Sequence, residues 1–351
     1  MKALFIGLGG IGQRHLRILK SLEPDVQIAA VRSRGRPFEI GDDLQPNTSV
    51  NIDEKYNISV FSSIADAAQF APDFAIVANP TSLHVQTAMD LVEQNIPLLL
   101  EKPVSNTSEQ LGALLDAAKS HDSIVMVGYM MRFHPCAEKM KQYIEQKALG
   151  DIYSVSVNVN SYMPAWHKYE KYNEFYAGKK DLGGGVVLTE IHELDLLNWY
   201  FGAPGSVSAI GGKLSPLALD VEDTVAVMLE QPCQGRHIPV TVNMSFVQQA
   251  PIREFLVLGE NGSIRWDIVA QKIVLDEYKN DTHELHEFAH FERNEMFRLQ
   301  MQTFINSVKS KEQPFTALEQ VIDGHLTALA IKASLQSNAK VDFADFKNNT
   351  L

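Results

Sequence analysis

The first third of the chain alternates short apolar runs with segments of helical periodicity. Apolar runs that are typical of buried strands cover residues 3–6, 26–31, 74–78, 97–100 and 124–127. Between them, apolar residues at helical spacing predict helices over residues 11–19, 83–95 and 108–120. Strands that alternate with helices in this way predict a doubly wound parallel sheet.

After about residue 128 the pattern changes to strict alternation. Val155, Val157 and Val159 alternate with polar residues, and residues 240–246 repeat the pattern. Residues 255–258 and 263–266 flank Gly259-Glu260-Asn261-Gly262, which indicates a hairpin. Two late helices follow; Phe297, Met301, Phe304 and Val308 form a stripe on the first, and residues 318–336 make the second. We therefore predict a second α/β domain with an open, mainly antiparallel mixed sheet.

These patterns divide the chain into a Rossmann domain over residues 1–127 and a substrate-binding and oligomerisation domain over residues 128–351. A large sheet with helices on one face leaves its other face to be covered. Self-association would cover it, so we expect a homodimer or homotetramer that forms through this sheet.

A glycine-rich loop stands between the first strand and the first helix. It reads Gly7-Leu8-Gly9-Gly10-Ile11-Gly12 and fits G-x-G-x-x-G. In this setting the first glycine makes the turn, the second admits a pyrophosphate, and the third lets helix and strand pack closely. The free N–H groups of the helix then face the phosphates. A tight turn without a ligand is the alternative, but the strand-loop-helix context favours dinucleotide binding.

The other strand ends should lie at the same edge of the sheet and supply further site residues. One of them is Glu101-Lys102-Pro103, where a lysine would lie beside the nicotinamide, held by Glu101, and would act on the reacting oxygen. The bland alternative is a surface ion pair. The predicted cofactor-binding residues are Gly7, Gly9, Gly10, Ile11, Gly12, Arg32, Ser33, Arg34, Asn79, Pro80, Thr81, His84, Glu101, Lys102 and Arg132.

A second cluster lies in residues 183–199, where three glycines open a mostly apolar helix. On that helix His192 shares a face with Thr189 and Asp195, which makes a proton relay plausible. A buried histidine with a purely structural role is the alternative. We predict Lys102, His192 and Asp195 as catalytic residues. The predicted substrate-binding residues are Lys102, Tyr129, Trp166, His167, Thr189 and His192.

The sequence resembles the glucose–fructose oxidoreductase / inositol dehydrogenase / MocA family. The resemblance is carried by GLGGIGQRH, ANPTSLH, LEKPVS, VGYMMRFHP and GGGVVLTEIHELDLLNWYFG, in that order along nearly the whole chain. It implies a Rossmann domain, a second domain with an open mixed sheet through which subunits pair, and oxidation or reduction of sugars with NAD or NADP. It also maps Lys102 and His192 onto the family's lysine and histidine.

The sequence departs from the family at one catalytic position. Many members carry an aspartate four residues before the histidine, where this chain has Leu188. The resemblance then implies that Asp195 or Glu190 takes that part, or that the relay has fewer members. The stretch from Ser161 to Gly185, with HELD at residues 192–195 after it, also resembles a subgroup associated with nonulosonate and other surface-sugar biosynthesis.

Composition narrows the function classes. The chain has 351 residues and a net charge of −12, which argues against nucleic acid or an anionic membrane as a partner. Cys136 and Cys233 have no metal-ligand or redox spacing, so we expect reduced cysteines and no metal. There is no apolar run of membrane-spanning length and no signal-peptide pattern, so a cytoplasmic location is expected.

Two loops bear on specificity. Arg32-Ser33-Arg34-Gly35-Arg36 follows the second strand without an acid, which favours NADP(H), with NAD(H) as the alternative. A solvated basic loop is the alternative interpretation of this segment. Residues 166–180 combine aromatic rings with Lys168, Lys179 and Lys180, which suits an acidic or phosphorylated sugar. Packing against a neighbouring subunit is the alternative there.

These observations lead to an NAD(P)-dependent oxidoreductase that moves a hydride between the nicotinamide and a secondary alcohol or ketone of a sugar. A reductase of a non-sugar substrate on the same fold is one alternative. A dinucleotide-binding sensor without catalysis is the other. The presence of both Lys102 and His192 favours an enzyme over a sensor, because a sensor needs neither.

Overall fold

The computed structural model describes residues 1–32, 37–42, 44–166, 170–278 and 281–351. The chain forms two compact units. The first contains Met1–Tyr129, Phe297–Gln320 and a short segment that ends at Lys171. The second contains Met130–Trp166, Tyr172–Met296 and Val321–Leu351. The sequence pattern, in contrast, predicts a single division between residues 127 and 128.

A six-stranded parallel sheet forms the centre of the first unit. The elements of residues 1–129 are β1 (Lys2–Ile6), α1 (Gly10–Leu22), β2 (Gln27–Val31), β3 (Phe38–Ile40), β4 (Pro46–Asn51), α2 (Ile52–Tyr56), β5 (Ser59–Phe61), α3 (Ile64–Ala67), β6 (Phe74–Val77), α4 (His84–Glu93), β7 (Leu98–Leu100), α5 (Leu111–Ser120) and β8 (Val125–Val127). The strand order is β5-β2-β1-β6-β7-β8, and every neighbouring pair is parallel. This order is that of a Rossmann fold and confirms the predicted doubly wound sheet.

The apolar runs form buried strands because both faces of the sheet are covered. The strands β6, β7 and β8 are buried at every residue. The order reverses between β1 and β6, and ligands of such sheets bind outside the carboxyl ends of the strands at that switch point. The glycine loop follows β1 directly, so the fold places it at this edge.

A nine-stranded sheet forms the centre of the second unit. The remaining elements of the chain are α6 (Pro135–Glu145), β9 (Ile152–Tyr162), α7 (Val186–Thr189), α8 (His192–Phe201), β10 (Ser206–Gly212), β11 (Thr224–Cys233), β12 (Arg236–Ser245), β13 (Val247–Gly259), β14 (Gly262–Asp267), β15 (Lys272–Glu277), β16 (Thr282–Glu287), α9 (Arg293–Ser310), α10 (Leu318–Ser337), β17 (Val341–Asp342) and α11 (Phe343–Thr350). The strand order is β16-β15-β14-β13-β9-β12-β11-β10-β17.

This second sheet is mixed as predicted. The β9–β12 pair is parallel, and the other neighbouring pairs are antiparallel. The alternation of β9 separates Val155, Val157 and Val159, which are buried, from a polar face of serine and asparagine. The open mixed sheet of the predicted fold class is thereby confirmed.

Two helices of the first unit begin later than the sequence pattern predicts. The segment predicted as a helix over residues 83–95 starts with a 3-10 turn at Thr81–Leu83, and α4 follows from His84. The helix predicted over residues 108–120 begins at Leu111, because Gln110 before it has a left-handed backbone with φ of 62°. The loop after Pro103 therefore extends to Gln110.

Candidate active site

The glycine loop of the first unit combines tight packing with an open centre. A Cβ on Gly7 would lie 2.7 Å from the Ala78 carbonyl oxygen, and a Cβ on Gly12 would lie 2.4 Å from the Gly7 carbonyl oxygen. Gly9, in contrast, has nothing within 4 Å of the place where a Cβ would stand. The first and third glycines therefore let α1 approach the sheet, while the second leaves room for a ligand.

The N-terminus of α1 directly follows Gly9 and has backbone N–H groups that are unpaired within the helix. Gly9 precedes the helix with an extended backbone and provides no side-chain cap. Gly10, Ile11 and Gly12 form the first turn, whose N–H groups have no partners within the helix. The first turn has no acidic residue. A dinucleotide pyrophosphate suits such an end, because free N–H groups and the helix dipole both favour an anion.

The carboxyl end of β6 adds polar atoms to this edge. His84 is buried, with Nδ1 2.7 Å from the Pro103 carbonyl oxygen and Nε2 3.0 Å from that of Asn79. Burial lowers the pKa of His84, and these two contacts oppose that effect. The Asn79 amide donates to the Thr87 hydroxyl at 2.9 Å, while its buried Oδ1 has no hydrogen-bond partner within the described residues. An unsatisfied acceptor at the same edge of the sheet as the glycine loop fits a bound dinucleotide.

The carboxyl end of β7 carries Glu101, Lys102 and Pro103. Glu101 Oε1 lies 2.6 Å from His15 Nε2, and Glu101 Oε2 accepts the Lys102 backbone N–H at 3.2 Å. Lys102 is half-buried, and its peptide bond to Pro103 is cis. The structure thus adds a partner for Glu101, the α1 histidine, which the sequence analysis did not identify.

An acid in α2 pairs with the arginine that follows β2, and the sequence analysis missed it. Arg32 forms an ion pair with Asp53, whose backbone N–H is capped by Asn51 at the start of α2. Ser33 and Arg34 lie outside the described residues. An acid and a base therefore share this strand end, although they are 21 positions apart in the sequence.

The glycines of residues 183–185 serve close backbone packing in the second unit. A Cβ on Gly184 would lie 2.4 Å from the Ala177 carbonyl oxygen. Gly185 has a φ of +109°, and a Cβ there would lie 2.2 Å from Glu222 Oε1. The turn therefore packs closely against neighbouring atoms, and α7 and then α8 follow it in the chain.

The helix α8 begins at His192 and buries two acids next to it. His192 is 4% exposed, and Glu193 and Asp195 are both 0% exposed. Arg132 donates to Asp195 through Nε at 2.8 Å and through its terminal nitrogen at 2.7 Å, so both carboxylate oxygens accept from this guanidinium. Burial raises the pKa of Asp195, and the Arg132 charge opposes the rise. Arg132, predicted as a cofactor-binding residue, is buried in this ion pair.

Glu193 is held in the same way by an arginine from the sheet. Arg253 of β13 donates to Glu193 Oε2 at 3.0 Å and lies 3.9 Å from Glu190. The Ser161 hydroxyl lies 3.4 Å from Glu190 Oε1. Burial raises the pKa of Glu193, and Arg253 opposes the rise. Two arginines therefore fix the first turn of α8, which starts at His192.

The remaining predicted substrate residues differ in exposure. Tyr129 is fully buried in the first unit. Thr189 is buried in α7, and Trp166 is half-buried with its ring edge-on to Phe246, 5.2 Å between centroids. His167 lies outside the described residues. Within the described ranges, no group of three or more His, Cys, Asp or Glu residues could hold a metal ion, and no helix has the length and apolar character needed to cross a membrane.

Comparison with known families agrees with this description. Residues 1–129 match the model of an oxidoreductase family with an NAD-binding Rossmann fold. Residues 137–265 match the GFO/IDH/MocA C-terminal domain. The chain therefore belongs to the glucose–fructose oxidoreductase / inositol dehydrogenase / MocA family of oxidoreductases, which confirms the resemblance of the sequence.

Individual relatives are distant. The rhizopine catabolism protein MocA of Rhizobium meliloti is 27% identical over 199 residues, 56% of this chain and 56% of that protein. Inositol 2-dehydrogenase 2 of Saccharopolyspora erythraea is 26% identical over 265 residues, 74% of this chain and 71% of that protein. The chain thus spans about half the length of several curated relatives that it matches.

Solved structures agree with the fold. The WlbA dehydrogenase of Bordetella pertussis, in complex with NADH and UDP-GlcNAcA, superposes with a TM-score of 0.77 at 20% identity. The match covers 97% of this chain and 98% of that one. At this identity the likeness concerns the fold alone.

Proposed function

We propose that this protein is an NAD(P)-dependent oxidoreductase that transfers a hydride between the nicotinamide and a secondary alcohol or ketone of a sugar or sugar derivative. One observation carries the proposal. Lys102 follows β7 at the sheet edge that also presents the open Gly9 and the unsatisfied Asn79 oxygen. A cation at that edge suits a reaction in which an oxygen gains or loses charge.

The roles of the residues follow from this proposal. When bound, the nicotinamide supplies or accepts the hydride. Lys102 stabilises charge on the reacting oxygen and moves its proton, and His192 takes part in the same transfer. The Arg132–Asp195 and Arg253–Glu193 ion pairs hold the first turn of α8. Asp195 thereby helps to position His192, which begins that turn.

The proposed cofactor preference is NADP(H). The support is the basic sequence after β2, in which Arg32 is the described member. A guanidinium there suits a 2′-phosphate through charge-assisted hydrogen bonds. Asp53 opposes this preference, because its carboxylate pairs with Arg32 and would repel a phosphate. NAD(H) is therefore the alternative, and Asp53 is the residue on which the balance depends.

The proposed substrate is an acidic or phosphorylated sugar. The support is the lysine-rich segment before Gly183, in which Lys180 is exposed and Lys179 half-buried. Lys168 lies outside the described residues but belongs to the same sequence cluster. If neutral polyols turn over best, and Lys168→Ala leaves their KM unchanged, this substrate class is wrong.

One experiment tests the proposed function. The purified protein is incubated with NADP⁺ or NAD⁺ and a panel of nucleotide sugars, sugar acids, sugar phosphates and free polyols, and separately with NADPH or NADH and the corresponding keto sugars. Absorbance at the nicotinamide band is followed in both assays. Turnover on a sugar supports the enzyme. Tight cofactor binding without turnover on any member of the panel supports the sensor instead.

A further inference from the structure

We propose that His15 is a positioning residue for Lys102, acting through the buried carboxylate of Glu101. The inference rests on the proposed function in one respect, namely that Lys102 acts on substrate. Its structural basis lies wholly in the first unit. His15 is 0% exposed and Glu101 is 7% exposed, and they share a hydrogen bond of 2.6 Å.

Glu101 is confined on several sides. A Cβ on Gly128 would lie 3.3 Å from Cδ, Oε1 and Oε2 of the carboxyl group, so a larger residue there would crowd it. The His15 ring in turn meets the Phe297 ring edge-on, 5.8 Å between centroids. Since both partners are packed, the carboxylate holds a single position.

The position of the Glu101 carboxylate matters because His15 and Glu101 belong to two parts of the proposed site. His15 lies on α1, whose first turn is the proposed pyrophosphate site. Glu101 directly precedes Lys102, and its second oxygen accepts the Lys102 backbone N–H at 3.2 Å. The pair thus connects the glycine-loop helix to the backbone of the proposed catalytic lysine, across 86 positions of sequence.

The charge of Glu101 also reaches Lys102. Burial alone would raise the pKa of Glu101, but the His15 hydrogen bond and the charges of His15, Lys102 and His84 together lower it, so the carboxyl group is ionised. The attraction is mutual: a carboxylate whose pKa falls because of the Lys102 ammonium also favours that ammonium. Without the His15 hydrogen bond the Glu101 carboxylate is no longer held in one position, and the ammonium loses part of this support.

The test separates positioning from simple packing. His15→Leu removes the hydrogen bond, and His15→Gln keeps a donor near the place of Nε2. His121→Leu is the matched control, because His121 lies at the end of α5, exposed and bonded to Asn95. All variants are studied well below their unfolding temperatures, and circular dichroism confirms that they are folded.

The first readout is independent of turnover. Acetic anhydride labels unprotonated lysine, so the pH midpoint for acetylation of Lys102, followed by peptide mass spectrometry, reports its protonation in the full-length protein. The midpoint should move to lower pH in His15→Leu, and should stay at the wild-type pH in His15→Gln and His121→Leu. A folded His15→Leu protein with an unchanged midpoint would overturn the proposal.

The second readout is kinetic. On a substrate that the wild type turns over, His15→Leu should lose kcat about tenfold or more, with a smaller change in KM. His15→Gln should recover most of the loss. Equal losses in His15→Leu and His15→Gln would show that the histidine only packs. A shifted midpoint in a protein that turns over no sugar would refute the proposed function and leave the role of His15 intact.

Discussion

Among the described residues, Asp53 and Arg32 bear most directly on the proposed cofactor preference. Asp53 forms an ion pair with Arg32, the residue that follows β2. Residues 31–36 contain no acid, so the local sequence gives no sign of a carboxylate here. A carboxylate near the adenosine ribose favours NAD, since it accepts from ribose hydroxyls and repels a 2′-phosphate. The arginine has the opposite preference. The ion pair therefore sets two opposing determinants side by side.

The Asp53→Asn variant measures which determinant dominates. Removing the carboxylate frees Arg32 and ends the repulsion, so the Kd for NADPH should fall relative to that for NADH by about tenfold. Fluorescence titration of both cofactors gives the ratio, with Glu39→Gln as a control for the loss of a nearby charge. If wild type already binds NADH as tightly as NADPH, the proposed NADP(H) preference is wrong.

At the scale of the element, the three motif glycines of the first loop, Gly7, Gly9 and Gly12, are of two kinds. Gly12 faces the Gly7 carbonyl oxygen closely, and Gly9 faces open space. The loop therefore divides into positions that build the fold and a position with space for the proposed cofactor. The turn at Gly184 and Gly185 belongs to the first kind, because both glycines meet neighbouring atoms.

A pair of alanine variants distinguishes these tasks. Gly9→Ala should melt within a few degrees of wild type and bind cofactor at least about tenfold more weakly, because the new methyl group occupies ligand space. Gly12→Ala should be the less stable variant by about 2 kcal/mol or more, because its Cβ has no room. Thermal melts and cofactor titration measure both. A clearly lower melting temperature for Gly9→Ala, together with unchanged cofactor binding, would contradict this division.

His134, the N-cap residue of α6, should make the free energy of unfolding depend on pH. The buried ring of His134 accepts the Cys136 backbone N–H through Nδ1 at 3.1 Å, between the rings of Trp266 and Phe291. Burial lowers its pKa from 6.5 to about 4, and the Arg253 charge adds to this. Between these values the unfolded chain binds a proton that the folded protein does not, so stability falls as pH falls through this window.

The expected loss from His134 is up to about 3 kcal/mol on passing from the unfolded to the folded pKa. His134→Asn keeps a capping acceptor but does not titrate. Its free energy of unfolding, from urea melts across the window, should depend less on pH than that of wild type. Identical pH slopes in the two proteins would show that His134 is not the group responsible.

Much of this element-level organisation could be read from the sequence, and the pairs that fix the site could not. The Gly7, Gly9 and Gly12 positions follow from local spacing, and so do the buried strands. The Arg132–Asp195 bond spans 63 positions and the Arg253–Glu193 bond 60, and such distances leave no periodic signal. One clue was available: two acids inside the mostly apolar α8 require buried partners.

At the scale of the whole molecule, the second sheet presents an uncovered face within its unit. Register places Ile210, Met228 and the polar Asn243 on this face, and Ile210 and Met228 are 82% and 59% exposed. Leu258 of β13 adds a third exposed apolar side chain. Serine, threonine and asparagine side chains bond one another between β9 and β12. We propose that a second copy covers this face.

Met228→Glu tests the proposed interface. A charge at the middle of a buried patch costs several kcal/mol when it loses water, so the assembly should dissociate. Size-exclusion chromatography with light scattering should give a larger mass for wild type than for the variant, and Glu260→Gln, which lies in the β13–β14 turn, should match wild type. A wild-type protein of monomer mass would refute the interface.

The central claim is that Lys102 and His192 carry the proton chemistry of a dinucleotide-dependent oxidoreductase. The most direct measurement is kcat and cofactor Kd for Lys102→Ala, His192→Ala and the double variant, on a sugar that the wild type oxidises or reduces. We predict losses in kcat on the order of a hundredfold or more for each single variant, larger for Lys102→Ala, with cofactor Kd changed only slightly. Wild-type turnover in the double variant would contradict the account, since the chemistry would then lie in other residues.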